Sequence, residues 1–297
     1  MSTVAVVIPS FNRCSLLMRA MESIAGQTRS PDQVVIVDDA STEEMSKSLE
    51  LAAELGFEWR QLSSNRGPAA ARNAGVAATS SDWVCFLDSD DEWLPDKLAE
   101  QSRWNEEHPE FSISQVHESW HRNGAVVKKP RHWEQDGGDL FAASIERCSI
   151  GPSCVMLSRR LWDDFGGFDE DFRVCEDYEL WLRVCSQTEI GLVDSEPLVR
   201  KHAGHEDQLS VVTPAMDRFR VHALIKAHFD SGYSEKQKKM IAQGICEKSI
   251  ILADGAAKRG SLERSKFYRE VSEVKWDALC TDLKRKWFEH SKRFLQT

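Results

Sequence analysis

The sequence has 297 residues, 41% apolar and 29% charged, with a formal net charge of −10. Such a chain has room for one large α/β domain, or a domain plus an appendage, around a sizeable core. The acidity excludes a general nucleic-acid binder, because phosphate contacts need clustered Lys and Arg.

Residues 4–8, "VAVVI", form a β-branched run closed by Pro9 and predict a buried strand. Residues 13–25 follow with helical spacing at Leu16, Leu17, Ala20, Met21 and Ile24. "QVVIVDD" is a second strand, and 43–55 a second helix with Ser41 or Thr42 as its N-cap. A weaker strand at 57–62, a helix at 69–78 and the near-continuous apolar run "DWVCFLD" complete the first hundred residues. Strands apolar on both faces and alternating with helices predict a doubly wound α/β sheet. In such sheets ligands bind at the carboxyl ends of the strands, which singles out Pro9–Arg13, Asp38–Ser41 and Asp88–Asp91. Between about 110 and 200 the pattern is mixed, with strands near 112–117, 125–129, 154–157 and 190–193 and helices near 159–165 and 177–186. From about Pro214 onward it reads as helical.

Asp88-Ser89-Asp90-Asp91 carries the sharpest chemical signal. Three acids in four positions at a strand's end repel one another unless a cation or hydrogen-bond donors compensate them. A hard divalent ion with oxygen ligands suits such a set. The competing explanation is helix capping, with Asp91 or Glu92 starting a helix that opens at Leu94-Pro95.

"VAVVIPSFNR", "QVVIVDDAST", "NRGPAAARNAGV", "WVCFLDSDDEWLPDKL" and "GGFDEDFRVCEDYELWLR" occur in this order, and through them the chain resembles the family 2 glycosyltransferases over residues 4 to about 212. The resemblance implies a GT-A-like doubly wound mixed sheet over residues 1–213, with 214–297 as a C-terminal helical appendage. It also implies an inverting enzyme that moves a sugar from a nucleotide-diphosphate sugar, a UDP-sugar in the first instance, to an acceptor hydroxyl. Pro9, Ser10 and Phe11 would line the base pocket and Asp39, or its neighbour Asp38, would accept from the base. Arg72 would approach the base or a phosphate, Asp88 the ribose, and Asp90 a Mn²⁺ or Mg²⁺ ion bridging the diphosphate.

A sugar hydroxyl is a poor nucleophile and needs a general base. The family places it in an acid pair at a helix start, which matches Glu176-Asp177: Asp177 as the base, Glu176 orienting it or meeting the acceptor. The family's late histidine, a further metal ligand, matches His205 in "KHAGHEDQLS", with His202 as the fallback. "CSIGPSCVM", Trp93 and Trp181 are placed to wall the acceptor side, since sugar C–H faces pack on aromatic rings.

His117-Glu118-Ser119-Trp120-His121 matches the zinc-protease motif H-E-x-x-H, but that chemistry needs a helix, and the flanking "FSISQV" and "RNG" read as strand and turn. A sugar nucleotidyltransferase would need a Gly- and Lys/Arg-rich phosphate loop after the first strand, which "PSFNRC" does not supply. A non-catalytic nucleotide-sugar-binding scaffold is the remaining alternative, opposed by the joint presence of Asp88, Asp90, Asp177 and His205.

The eight cysteines include no CxxC pair and several lie in apolar runs, which predicts buried thiols rather than a disulfide framework. With no secretory signal or membrane-length apolar run, a cytoplasmic location is expected. From Lys258 onward eleven Lys or Arg stand against six acids, and "LKRKWFEHSKRFL" is basic and amphipathic. It invites a peripheral contact with an anionic inner membrane face, near a glycan or lipid-linked acceptor.

Overall fold

The computed structural model describes residues 2–122, 124–130, 133–204, 212–279 and 281–295. Strand β1 (Val4–Ser10) is buried at every position, as expected for an apolar run at the centre of a sheet covered on both faces. Its side chains alternate between two cores. Val4, Val6 and Ile8 meet Leu17, Met21 and Ile24 of helix α1 (Cys14–Ala25). Val7 points to the other face, against α3 (Pro68–Ala77). That helix lies so close that a Cβ on Gly75 would sit 2.2 Å from Val7 Cγ1; only glycine fits there.

β2 (Gln33–Asp38) and β3 (Glu58–Gln61) continue the sheet on one side of β1, and β4 (Trp83–Phe86) on the other. β6 (Ile113–Val116), β9 (Val155–Ser158) and β10 (Gly191–Val193) complete seven strands in the order β10-β6-β9-β4-β1-β2-β3. β9 runs antiparallel to both its neighbours, and the other pairings are parallel. The sheet is therefore mixed, as the family resemblance implies, whereas the alternation of strands and helices alone indicates a parallel one. Helix α6 (Arg159–Phe165) opens on a side-chain cap from Ser158, and α7 (Glu176–Cys185) packs beneath the sheet through Trp181.

Three strands escape the sequence pattern. β5 (Glu92–Trp93), β7 (Glu118–Arg122) and β11 (Val199–Ala203) join β8 (Ala125–Val127) in a second sheet of order β5-β11-β7-β8. "ESWHR" and "VRKH" are too polar to signal a strand by themselves. The strand at Glu118–Arg122 also removes the protease motif, since its two histidines are not on a helix.

Two helix starts move. α2 (Ser46–Glu54) begins after Met45, not at 43 under a Ser41 or Thr42 cap. Those residues are engaged elsewhere: Ser41 Oγ accepts from Asn12 N–H (2.8 Å), and Thr42 and Glu43 N–H donate to Asn12 Oδ1 (2.8 and 3.1 Å). α4 (Lys97–Glu107) starts after Asp96, because Leu94 N–H is drawn to Leu198 O (2.9 Å) beside β5. Asp91 and Glu92 are therefore not its caps.

The helices that follow residue 213 share a core with the α/β part. Ile241, Ile245 and Leu252 of Glu235–Lys258 and Phe267 and Tyr268 of Leu262–Glu273 belong to the same apolar cluster as Trp181 and Val184 of α7. The aromatic side of the last helix, Thr281–Lys292, is also turned inward. Phe288 stacks on His222 at 4.3 Å, and Trp287, Phe294 and Leu295 join the core. The expected membrane-facing apolar side is thus covered by the protein itself. Among the described residues no helix is long and apolar enough to cross a membrane.

Candidate active site

The strands ending at the shared carboxyl edge bring the first three candidate segments together. Ser10 lies in register with Asp38, and Val7 with Phe86, so that Asp88 follows just beyond the same edge. Pro9 and Ser10 are buried and Phe11 is 39% exposed at the turn. Ser10 is 4% exposed, and among the described residues its hydroxyl has no hydrogen-bond partner. A buried unpaired hydroxyl is costly unless something else supplies a partner.

Asp39, 3% exposed, accepts the backbone N–H of Arg66 on Oδ1 and of Gly67 on Oδ2, both at 2.7 Å. It thereby ties the end of β2 to the N-terminus of α3. Burial pushes its carboxyl above the usual range, and the two N–H donors offset this only in part. A carboxylate has about four acceptor sites, so these bonds leave capacity for a ligand N–H. Asp38 is held by Gln61 Nε2 (3.1 Å) and by Ser41 N–H (3.0 Å).

The Asp88–Asp91 loop is closed on itself by Asp91 N–H to Asp88 O (2.9 Å). Ser153, fully buried in the short 3₁₀ turn Pro152–Cys154, clamps both ends of it: its hydroxyl donates to Asp91 Oδ2 (2.6 Å) and accepts from Asp88 N–H (3.1 Å). Trp93 Nε1 secures that turn from behind, at 2.8 Å from Ser153 O.

Side-chain cations compensate the acids. Arg13 pairs with Asp90 Oδ2 at 3.0 Å, and Arg72 with Asp88 Oδ1 at 2.6 Å. Lys201 of β11 lies 3.9 Å from Asp91. Burial alone would raise the Asp88 carboxyl, but the guanidinium of Arg72 and the ammonium of Lys201 hold it below the usual range. Asp91, buried against Asp90 and Asp88, is pushed well above it despite Lys201. Glu118, in place of a zinc-protease base, receives Trp120 Nε1 (2.7 Å) and Lys129 (3.0 Å) on one oxygen and the Cys154 thiol (3.2 Å) on the other. Burial is outweighed there by Lys201 and Lys129, and its carboxyl falls to about 2.

Arg72 is not a solvated helix residue. It is 4% exposed and spans two acids, donating from Nη2 to Asp88 and from Nη1 to Glu176 Oε1, each at 2.6 Å. Its guanidinium carbon lies 5.1 Å from the centre of the Phe168 ring. It thus joins the carboxyl edge of the sheet to the start of α7. Burial pushes Glu176 up, to about 7, with Asp177 adding to the rise and Arg72 opposing it.

Asp177, half-buried beside it, accepts Tyr178 N–H (2.7 Å) on one oxygen and the Cys148 thiol (3.2 Å) on the other. The residue before the pair, Cys175, has φ +61°, a left-handed conformation that costs roughly 1–2 kcal/mol outside glycine.

His205 lies outside the described residues. His202 sits in β11, 3.5 Å from Glu92 and beside His121. Trp93 and Trp181 are 3% and 1% exposed; they are core residues and wall no acceptor surface. Among the described residues no three His, Cys, Asp or Glu side chains group to hold a metal. Among the described residues Asp88 and Asp90 each engage one arginine through one side-chain oxygen, and the other is a hard donor. Two such oxygens fit Mg²⁺ or Mn²⁺ when substrate phosphates complete the shell.

Arg13, Cys148, Ser153 and Lys201 lie inside segments noted in the sequence, Pro9–Arg13, "CSIGPSCVM" and "KHAGHEDQLS", but none of the four had been given a role of its own.

Residues 5–159 match the profile of glycosyl transferase family 2. An uncharacterized glycosyltransferase of Rickettsia conorii, RC0461, is 32% identical over 65% of this chain. The chain spans about a third of the length of the Rickettsia relatives it matches. The crystal structure of S. aureus TarS 1-349 in complex with UDP superposes with a TM-score of 0.71 at 18% identity, covering 98% of this chain and 87% of that one. The mannosyltransferase PcManGT of Pyrobaculum calidifontis, in complex with GDP-Man and Mn²⁺, gives 0.57 at 19% identity, covering 94% and 88%. The shared architecture is the GT-A-like fold.

Proposed function

Because this chain belongs to glycosyl transferase family 2 and is thereby an enzyme of glycosyl transfer, we propose that it moves a sugar from a nucleoside diphosphate sugar, a UDP-sugar in the first instance, to an acceptor hydroxyl with inversion. One observation carries the reading: Arg72 couples Asp88, on the donor edge of the sheet, to Glu176 at the start of α7. Two acid motifs far apart in the chain thereby meet on one cation, which supports a donor role for the first and an acceptor role for the second.

On the donor side Pro9, Ser10 and Phe11 take the base, with the unpaired Ser10 hydroxyl and the exposed Phe11 ring supporting that role. Asp39, with Asp38 as second choice, accepts the base N–H, and Asp88 takes the ribose. Arg72 holds Asp88 in place, and its charge lies near the donor phosphates. Asp90 would hold Mn²⁺ or Mg²⁺, joined by His205, and the ion would supply charge neutralisation for the leaving diphosphate. On the acceptor side Asp177 takes the hydroxyl proton as the hydroxyl attacks the anomeric carbon, and Glu176 orients it. The acceptor is a glycan, lipid-linked or other hydroxyl. The exposed Arg285, Lys286 and Arg293 on and beyond the last helix suit a peripheral contact with an anionic surface.

The test is Asp177→Asn, with UDP release from UDP-sugars in the presence of Mn²⁺ as the readout. Turnover is expected to fall about 10²- to 10⁴-fold while UDP affinity stays unchanged; wild-type turnover removes Asp177 from the role.

A further inference from the structure

We propose that the Cys148 thiol is a positioning residue for Asp177, holding its carboxylate at the angle from which it takes the acceptor proton. The inference rests on Asp177 being the base. Cys148 lies between α5 (Phe141–Glu146) and the Pro152–Cys154 turn, half-buried and packed against the core. Its Sγ is 3.2 Å from Asp177 Oδ2 and 3.3 Å from Ile150 O. A thiol has one proton to give, and an ionised carboxylate is a stronger acceptor than a backbone carbonyl.

Asp177's other hydrogen bond comes from Tyr178 N–H, the next residue of its own helix. Among the described residues the thiol is therefore the one donor that reaches this carboxylate from another element. Tyr178 N–H fixes where one oxygen sits, and Cys148 fixes the rotation of the group about it. Two contacts on two oxygens define a plane where one alone would leave a swivel. Burial and the adjoining Asp177 charge push the thiol's titration well above its ordinary range, so the sulfur remains a donor and not a rival anion. The helix is entered through the left-handed Cys175, two residues before the Asp177 that meets this thiol.

The role differs from general packing in what it predicts. Loss of the donor should slow the chemical step and spare donor binding, since the thiol touches neither the Asp88 loop nor Arg72. Cys148→Ala and Cys148→Ser are compared with wild type in the full-length protein. UDP-glucose, UDP-galactose and UDP-N-acetylglucosamine serve as probes with Mn²⁺, and UDP release is followed. Cys148→Ala should lower kcat about five- to tenfold with KM unchanged, the range expected for losing one hydrogen bond. Cys148→Ser, which keeps a donor, should stay within about twofold of wild type.

An S–H stretching spectrum gives a substrate-free readout. The wild-type minus Cys148→Ala difference should contain a band that shifts in Asp177→Asn. A wild-type kcat in Cys148→Ala, a serine variant as slow as the alanine one, or a band indifferent to Asp177 overturns the proposal. If Asp177→Asn is inactive while Cys148→Ala is unaffected, only the thiol's role falls. If Asp177→Asn keeps full turnover, the assignment of the base falls first.

Discussion

Arg72 and Glu176, 104 residues apart in sequence, meet through a 2.6 Å ion pair in which the two side chains are 5% and 7% exposed. With Asp88 on its other nitrogen, the guanidinium is enclosed by two carboxylates and the Phe168 ring. Its planar fork, with donors diverging from one rigid group, is what allows a single side chain to reach two acids on separate elements.

Removing that cation leaves the buried Glu176 without its ion-pair partner and Asp88 without its nearest one. Arg72→Ala should therefore destabilise the protein by about 3–5 kcal/mol, the cost of breaking a buried pair from one side. Arg72→Lys should recover only part of this, because an ammonium cannot bridge both acids in the same plane. Urea unfolding of the three proteins checks it; equal midpoints would show that the network carries no stability.

The raised carboxyl of Glu176 has a pH consequence. Its folded value of about 7 lies above the ordinary 4.5, so the folded state holds a proton that the unfolded chain has already lost. Stability from this group is complete below about pH 4.5 and is lost as pH rises towards about 7. The stability difference between wild type and Glu176→Gln should therefore fall by about 1–3 kcal/mol from pH 5 to pH 8. A difference that is flat with pH, or rises, contradicts the shift.

Asp90 is the acid whose partner, Arg13, comes from the β1–α1 turn. Asp90→Ala should abolish the extra thermal stabilisation that Mn²⁺ adds to UDP binding, and EDTA should do the same to wild type. UDP alone should stabilise both proteins similarly. A metal-dependent shift that survives in Asp90→Ala would exclude this residue as a ligand.

Gly244, on the helix Glu235–Lys258, faces Ile145 of α5, and a Cβ there would lie 2.4 Å from Ile145 Cγ2. Gly244→Val should overpack this contact by about 1–3 kcal/mol. Because the apolar cluster runs from α7 into the C-terminal helices, the whole chain should melt in one transition, shifted as a unit by the substitution. Two transitions, with only the smaller displaced, would show that the helices unfold by themselves.

Much was legible locally. The alternation of apolar strands and amphipathic helices specified the α/β sheet, since a run such as "VAVVI" can bury both faces only inside it. Motif order placed Asp88, Asp90, Glu176 and Asp177 at a strand end and a helix start, where the structure has them. The short polar strands β5, β7 and β11 were not legible, because their burial comes from partners and not from their own pattern.

Which residues stand at element ends follows from local pattern, because propensity and periodicity act over a few neighbours along the chain. Which of them meet is a matter of long-range packing. Arg72 reaches Glu176, the Cys148 thiol reaches Asp177, and the aromatic side of the last helix turns inward to His222. Those outcomes depend on packing between distant segments, where a contact forms or fails on a few ångströms that no local pattern encodes.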